Sequence, residues 1–133
     1  ATGCRLNLIL PFGFEIDDKQ LRRPGLDYWP FLDVELYDHL EPLLEQYPGK
    51  FAFLSKQPSA PTFIEMPLDT EILVFGQETK GLPDELREKY ADKFYRIPMF
   101  HEGVRSLNLA NAVSIVLYEQ LRKRGRLDDR VEN

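Results

Sequence analysis

The sequence predicts an α/β domain: a mostly parallel sheet with helices on both faces. Two observations carry this. Short apolar runs closed by glycine or proline alternate along the chain with segments that carry helix caps and charged faces. Strands that alternate with helices pair in parallel, because each crossover returns the chain to the same edge of the sheet. The 133 residues fit one domain spanning 1–133, long enough to bury a serviceable core, with no internal repeat and no linker.

The elements follow in order. Residues 5–10 read as a buried strand, ended by Pro11 and Gly13. Asp17 or Asp18 can cap a short helix over 19–23, which Pro24 and Gly25 stop. Residues 26–36 mix aromatic and polar side chains and end in a short strand. Asp38 is expected to cap a helix to about Tyr47, with Pro42 near its first turn, where a missing N–H costs least. Residues 51–54 form a strand, and 57–67, with three prolines, form a loop. Residues 72–75 read as a central strand closed by Gly76. Pro83 starts a charged helix to about Tyr90, 94–97 form a strand stopped by Pro98, and Ser106 caps a last helix running to about Arg124 and Gly125.

Composition narrows the function classes. An apolar content of 43% is ordinary for a globular chain and argues against disorder. No apolar run is long enough to span a membrane, and no secretory leader is visible. The first residue is Ala1 rather than Met, so the chain is expected to be processed, trimmed or partly unseen at its start. Cys4 is the single cysteine and the two histidines, His39 and His101, lack metal-ligand spacing, so no metal is expected and a cytoplasmic setting is the simplest reading. The net charge of −5 is unhelpful for nucleic acid, but distribution matters more than the sum. Basic residues cluster at Lys19, Arg22 and Arg23, and again at Arg122, Lys123, Arg124 and Arg126. Each cluster is either a solvated helix face or end, or a surface for a polyanion.

Two loops can carry chemistry. In FGQETKGLP (75–83), a strand ends at Gly76, where the absence of Cβ lets a ligand approach, and Gly81 turns the chain into a helix. Glu78 lies between the glycines and faces either the crevice or solvent. In the second loop, RSLNLANAV (105–113), Ser106 can cap the last helix and leave neighbouring N–H groups for an acceptor. Asn108 and Asn111 lie three apart, on one helical face; they either share a polar contact or are a cap and an exposed neighbour. The helix behind them is apolar nearly all round, from Leu107 through Val116 to Leu121, which calls for burial on two sides, one of them a second subunit or the same chain. His101 has the intrinsic pKa of a general base, and Tyr28, Trp29 and Phe31 have rings that can stack on a base. An exposed loop histidine and an ordinary aromatic core cluster are the simpler readings of these residues.

Taken together, these runs resemble the bacterial tRNA wobble-position (cytidine/uridine) 2′-O-methyltransferases of the SPOUT superfamily. The resemblance covers nearly the whole chain: residues 2–28, including DDKQLRRPGLDY, then FGQETKGLP, then YRIPM with RSLNLANAVSIVLYE. It implies a C-terminal trefoil knot, S-adenosylmethionine as cofactor, tRNA as partner, and a homodimer through the last helix. It also implies that main-chain groups at Phe53, Gly76, Ile97 and Ser106 hold the cofactor, with Leu54 in place of Phe53 if the alignment slips by one. Glu78 and Asn108 shape that site, and Lys19, Arg22, Arg23, Arg122, Lys123 and Arg124 become candidates for the tRNA backbone. The arginine that the family uses to help remove the hydroxyl proton belongs to a first motif preceding the equivalent of Ala1, so no catalytic residue is assigned, and the first strand and motif are expected to be missing from this chain. The alternatives are the same chemistry on ribosomal RNA, or a non-catalytic dimeric module that keeps the cofactor pocket. On this reading, valine at Gly76 is expected to block cofactor binding while sparing the fold. Aspartate at Val116 is expected to split a dimer.

Overall fold

A computed structural model of the chain describes residues 2–9, 33–77, 81–100 and 107–127. It has two compact units, Ala1–Gln46 and Tyr47–Asn133.

In the first unit, β1 (Leu6–Ile9) pairs in parallel with β2 (Val34–Tyr37), Leu6 opposite Val34 and Ile9 opposite Tyr37. The Arg5 guanidinium donates to the Asp33 carboxylate at 3.0 Å and lies 3.6 Å from Glu35. The hydrogen bond and charge of Asp33 raise the arginine pKa further. Helix α1 (Glu41–Glu45) is shorter than expected and its N-cap is Leu40, not Asp38. With Pro42 in the first turn, the helix can start only just before it, so Asp38 stands too far upstream to cap. The short helix expected over 19–23 lies outside the described residues.

In the second unit, β3 (Phe51–Ser55), β4 (Ile72–Phe75) and β5 (Phe94–Arg96) form a parallel sheet in the order β4-β3-β5. The central strand reads Phe-Ala-Phe-Leu because both its faces are covered, and period-two alternation sorts the residues between them. On one face Ala52, Leu54 and Tyr95 pack with Met66 and Val116. On the other, Phe53 is fully buried, its ring stacked on Phe94 at 4.9 Å and on Tyr90 at 5.5 Å, with Phe51 edge-on to it at 5.7 Å. Tyr90 follows helix α2 (Asp84–Lys89). Val116 belongs to helix α3 (Leu109–Lys123), so helical segments cover both faces of this sheet.

Helix α3 starts two residues later than Ser106 would place it. Its N-cap is Asn108, whose Oδ1 accepts from the N–H groups of Ala110 (2.9 Å) and Asn111 (3.4 Å). An amide oxygen at this position satisfies two donors that the helix leaves unpaired. Asn108→Ala is expected to cost about 1 kcal/mol, read as a lower urea midpoint with an unchanged slope. The helix ends where the sequence places its end. Gly125 adopts φ +70°, its N–H donates to the Arg122 carbonyl at 3.0 Å, and Arg126 N–H donates to Leu121 at 2.9 Å.

The all-round apolarity of α3 resolves into two sides. Val116 (0% exposed) and Gln120 (5%) face inward, whereas Ile115 (41%) and Tyr118 (47%) face outward. Among the described residues, no helix is long and apolar enough to cross a membrane.

Candidate cofactor site at the carboxyl edge of the three-stranded sheet

Because β3, β4 and β5 run parallel, Ser55, Phe75 and Arg96 end at one edge. Ligands of open α/β sheets bind at this edge. Gly76 and the segment from Ile97 to Phe100 leave the sheet there.

The loop after β4 turns back on itself. Gly81 N–H donates to the Gln77 carbonyl at 2.9 Å, and Gly81 takes φ +65°. A Cβ built on Gly76 would stand 2.3 Å from the Gly81 carbonyl carbon, 2.6 Å from Leu82 N and 2.7 Å from Gly81 O. Glycine is therefore required by the chain's own return path. This corrects the expectation that valine at Gly76 would spare the fold: the added atom meets main chain, which has no rotamer to swing away.

The other implied cofactor contacts fall as follows. Phe53 lies two residues before the end of β3, and its side chain is consumed by the aromatic stack. Leu54 is buried on the opposite face, so either residue has only main chain to offer. Ile97 follows β5 directly and packs half-buried against the Ala52–Leu54–Tyr95 cluster. Asn108 is exposed with its carbonyl turned to its own helix, and Asn111 is exposed beside it, so the two share no buried polar contact. Ser106, Glu78 and His101 lie outside the described residues, as do Tyr28, Trp29 and Phe31. The edge thus gathers strand ends and a glycine-dependent turn, a main-chain surface of the kind that suits a ligand held chiefly by backbone groups. Among the described residues, no three His, Cys, Asp or Glu side chains gather as a metal site.

The C-terminal basic cluster has structural work. Segment 56–71 links β3 to β4 without a helix, apart from a 3₁₀ turn at Phe63–Glu65, and its prolines keep it from forming a ladder. Its carbonyls need donors from elsewhere. Lys123 Nζ donates to Ile64 (2.8 Å) and to the Met66 carbonyl. Gln120 Nε2 donates to Pro67 (2.8 Å) and Leu68 (3.3 Å). Arg124 reaches Leu68 and Thr70 at 2.7 Å each, and the Glu71 carboxylate at 3.2 Å. From the other side, Arg96 Nε donates to Ala60 at 2.8 Å and its N–H to Pro61 at 2.9 Å. Arg122 is exposed and paired in two hydrogen bonds with Glu119, whose carboxyl it holds below its usual pKa. Lys19, Arg22 and Arg23 lie outside the described residues.

Sequence reasoning missed this clamp. Its signal was present: a proline-bearing segment rich in unpaired carbonyls, and a run of long donors on one helix end. Arg124→Ala is expected to lower stability by about 1 kcal/mol while leaving the salt dependence of RNA binding unchanged. Urea unfolding read beside a salt titration separates the two effects. The Tyr95 hydroxyl, behind the same segment, is pushed above its ordinary pKa by burial, and then by Asp92 and Glu65.

Comparison with known proteins places this geometry. The sequence profile of the SpoU rRNA methylase family matches residues 1–118. The chain is 47% identical over 132 residues to a Bacillus subtilis protein provisionally named a tRNA (cytidine(34)-2′-O)-methyltransferase, covering 96% of this chain and 82% of that protein. A crystal structure from Bacillus anthracis, provisionally named an RNA methyltransferase, superposes with a TM-score of 0.83 at 38% identity, covering 100% of this chain and 86% of that one. A structure described for 2-OH methylation of C/U34 on tRNA superposes with a TM-score of 0.74 at 35% identity, covering 92% and 80%.

Proposed function

This chain belongs to the SpoU methylase family, and on that premise we propose that it methylates the ribose 2′-oxygen of the wobble nucleotide, cytidine or uridine, of tRNA. The observation that carries the proposal is the 47% identity, over nearly the whole chain, to a relative named for that reaction. S-adenosylmethionine, when bound, supplies the methyl group. The chain's own part is to hold and orient. Main-chain groups at Gly76, Ile97 and Phe53 hold the cofactor at the carboxyl edge, and the family resemblance adds Ser106 to that set, with Glu78 and Asn108 shaping the site. Direct transfer requires the ribose oxygen in line with the methyl carbon, so a fixed main-chain cradle favours it by positioning. The Gly76–Gly81 turn fits this role, since its path depends on close main-chain packing rather than on side chains.

Residues 1–133 belong to a single methyltransferase domain. The outward side of α3, with Ile115 and Tyr118, suits a homodimer, because it leaves large apolar side chains open opposite the buried Val116 and Gln120. Lys19, Arg22, Arg23 and the outward Arg122 are the cations best suited to the tRNA backbone, and a cytoplasmic setting accords with a tRNA substrate.

The test is methylation of tRNA by the full-length protein with isotope-labelled S-adenosylmethionine, mapped by nuclease digestion and mass spectrometry. A 2′-O-methyl group at nucleotide 34 is expected. Label appearing only in ribosomal RNA would transfer the chemistry to that substrate. No label in either RNA would favour a non-catalytic module.

A further inference from the structure

We propose that Phe100 is a stacking platform for one unpaired nucleobase of the RNA substrate. The inference rests on the RNA-methyltransferase reading above and adds to it a residue that positions the substrate. β5 ends at Arg96, and Pro98 keeps the segment beyond it from continuing a ladder. Ile97 packs back into the core, whereas Met99 is 36% exposed and Phe100 97% exposed. The other exposed large apolar side chains in the described residues lie between 36% and 55%, so each still covers about half its surface within the fold. Phe100 covers almost none, and no described ring packs on it. Isolated surface apolar residues are ordinary; a phenyl ring held wholly in water at the carboxyl edge of a parallel sheet stands where substrate arrives.

Two further observations select the occupant. A single ring with one methionine beside it offers far less than the roughly 800 Å² per partner that a stable protein contact needs, but it matches the face of one base. The chain is also acidic, at −5, so phosphate attraction over the whole surface is modest and a contact independent of charge gains weight.

The experiment measures binding and methylation of an unmodified anticodon stem-loop by the full-length protein as wild type, Phe100→Ala, Phe100→Leu and Phe100→Trp. Phe100→Ala is expected to raise KM for the stem-loop roughly 10-fold, with an unchanged calorimetric affinity for S-adenosylmethionine and an unchanged melting temperature. Phe100→Trp is expected to restore KM and to show fluorescence quenching when the stem-loop binds. Phe100→Leu is expected to fail, because an aliphatic side chain fills space without a ring face. Wild-type KM in Phe100→Ala, or full rescue by leucine, would overturn the stacking role alone. Weaker dimerisation of Phe100→Ala by sedimentation, with RNA affinity intact, would overturn it by giving the ring to a second copy. A wild-type protein that neither binds nor methylates the stem-loop would overturn this inference and the parent reading together.

Discussion

Gly76→Ala is expected to destabilise the protein by about 3 kcal/mol and to abolish S-adenosylmethionine binding at the same time. The new methyl group would stand 2.3 Å from the Gly81 carbonyl carbon and within 2.7 Å of two more main-chain atoms. Overpacking is usually relieved by a rotamer change in the neighbour, but a peptide group has none. The Gln77–Gly81 bridge must open or β4 must shift, and β4 pairs along its length with the central strand. For a chain of this size the loss corresponds to roughly 10 °C in melting temperature. Valine is expected to do worse than alanine. Scanning calorimetry with titration of the cofactor checks both effects. A Gly76→Ala protein that melts like wild type and only binds the cofactor less tightly would mean that the glycine serves the ligand alone.

Val116→Asp is expected to unfold the chain rather than to separate two subunits. Val116 is 0% exposed and packs with Ala52, Leu54, Met66 and Tyr95, none of which carries a positive charge to compensate a carboxylate. An uncompensated buried charge costs about 3–5 kcal/mol, a large fraction of the roughly 5–15 kcal/mol that holds a native domain together. Circular dichroism should show loss of cooperative melting. This corrects the expectation that the same substitution would test dimerisation. The proper probe is Tyr118→Asp, since Tyr118 is 47% exposed on the opposite side of the helix. It is expected to leave melting nearly intact and to shift sedimentation toward a monomer. A folded, native-melting Val116→Asp protein would show that the inward packing of α3 contributes little.

The strands were legible because their apolar runs end at glycine or proline. β3, β4 and β5 fall within a residue of where 51–54, 72–75 and 94–97 predict them. The end of α3 was legible for the same reason, since Gly125 supplies the left-handed turn that a helix end needs. The start of α3 was not. Ser106 and Asn108 are both good caps by residue type, and the structure places the cap at Asn108. The start of α1 misled for a similar reason: Asp38 has the chemistry of a cap, but Pro42 limits where the helix begins.

By itself the sequence determined the parallel α/β character, the two loops that leave the sheet at its carboxyl edge, and the motifs shared with the SpoU family. These are local properties, because periodicity, caps and turn residues act over a few positions. Tertiary structure alone decided what the side chains and glycines are for. Arg124 and Thr70, 54 residues apart, meet only because α3 lies along the segment leading into β4, and that meeting gives the helix-end cations a set of carbonyls to bond within the fold. Gly76 likewise reads as serving a ligand alone until the chain's own return at Gly81 is seen to require glycine there too. Residue type sets what a group can bond; distance in space, which no local pattern carries, sets what it does bond.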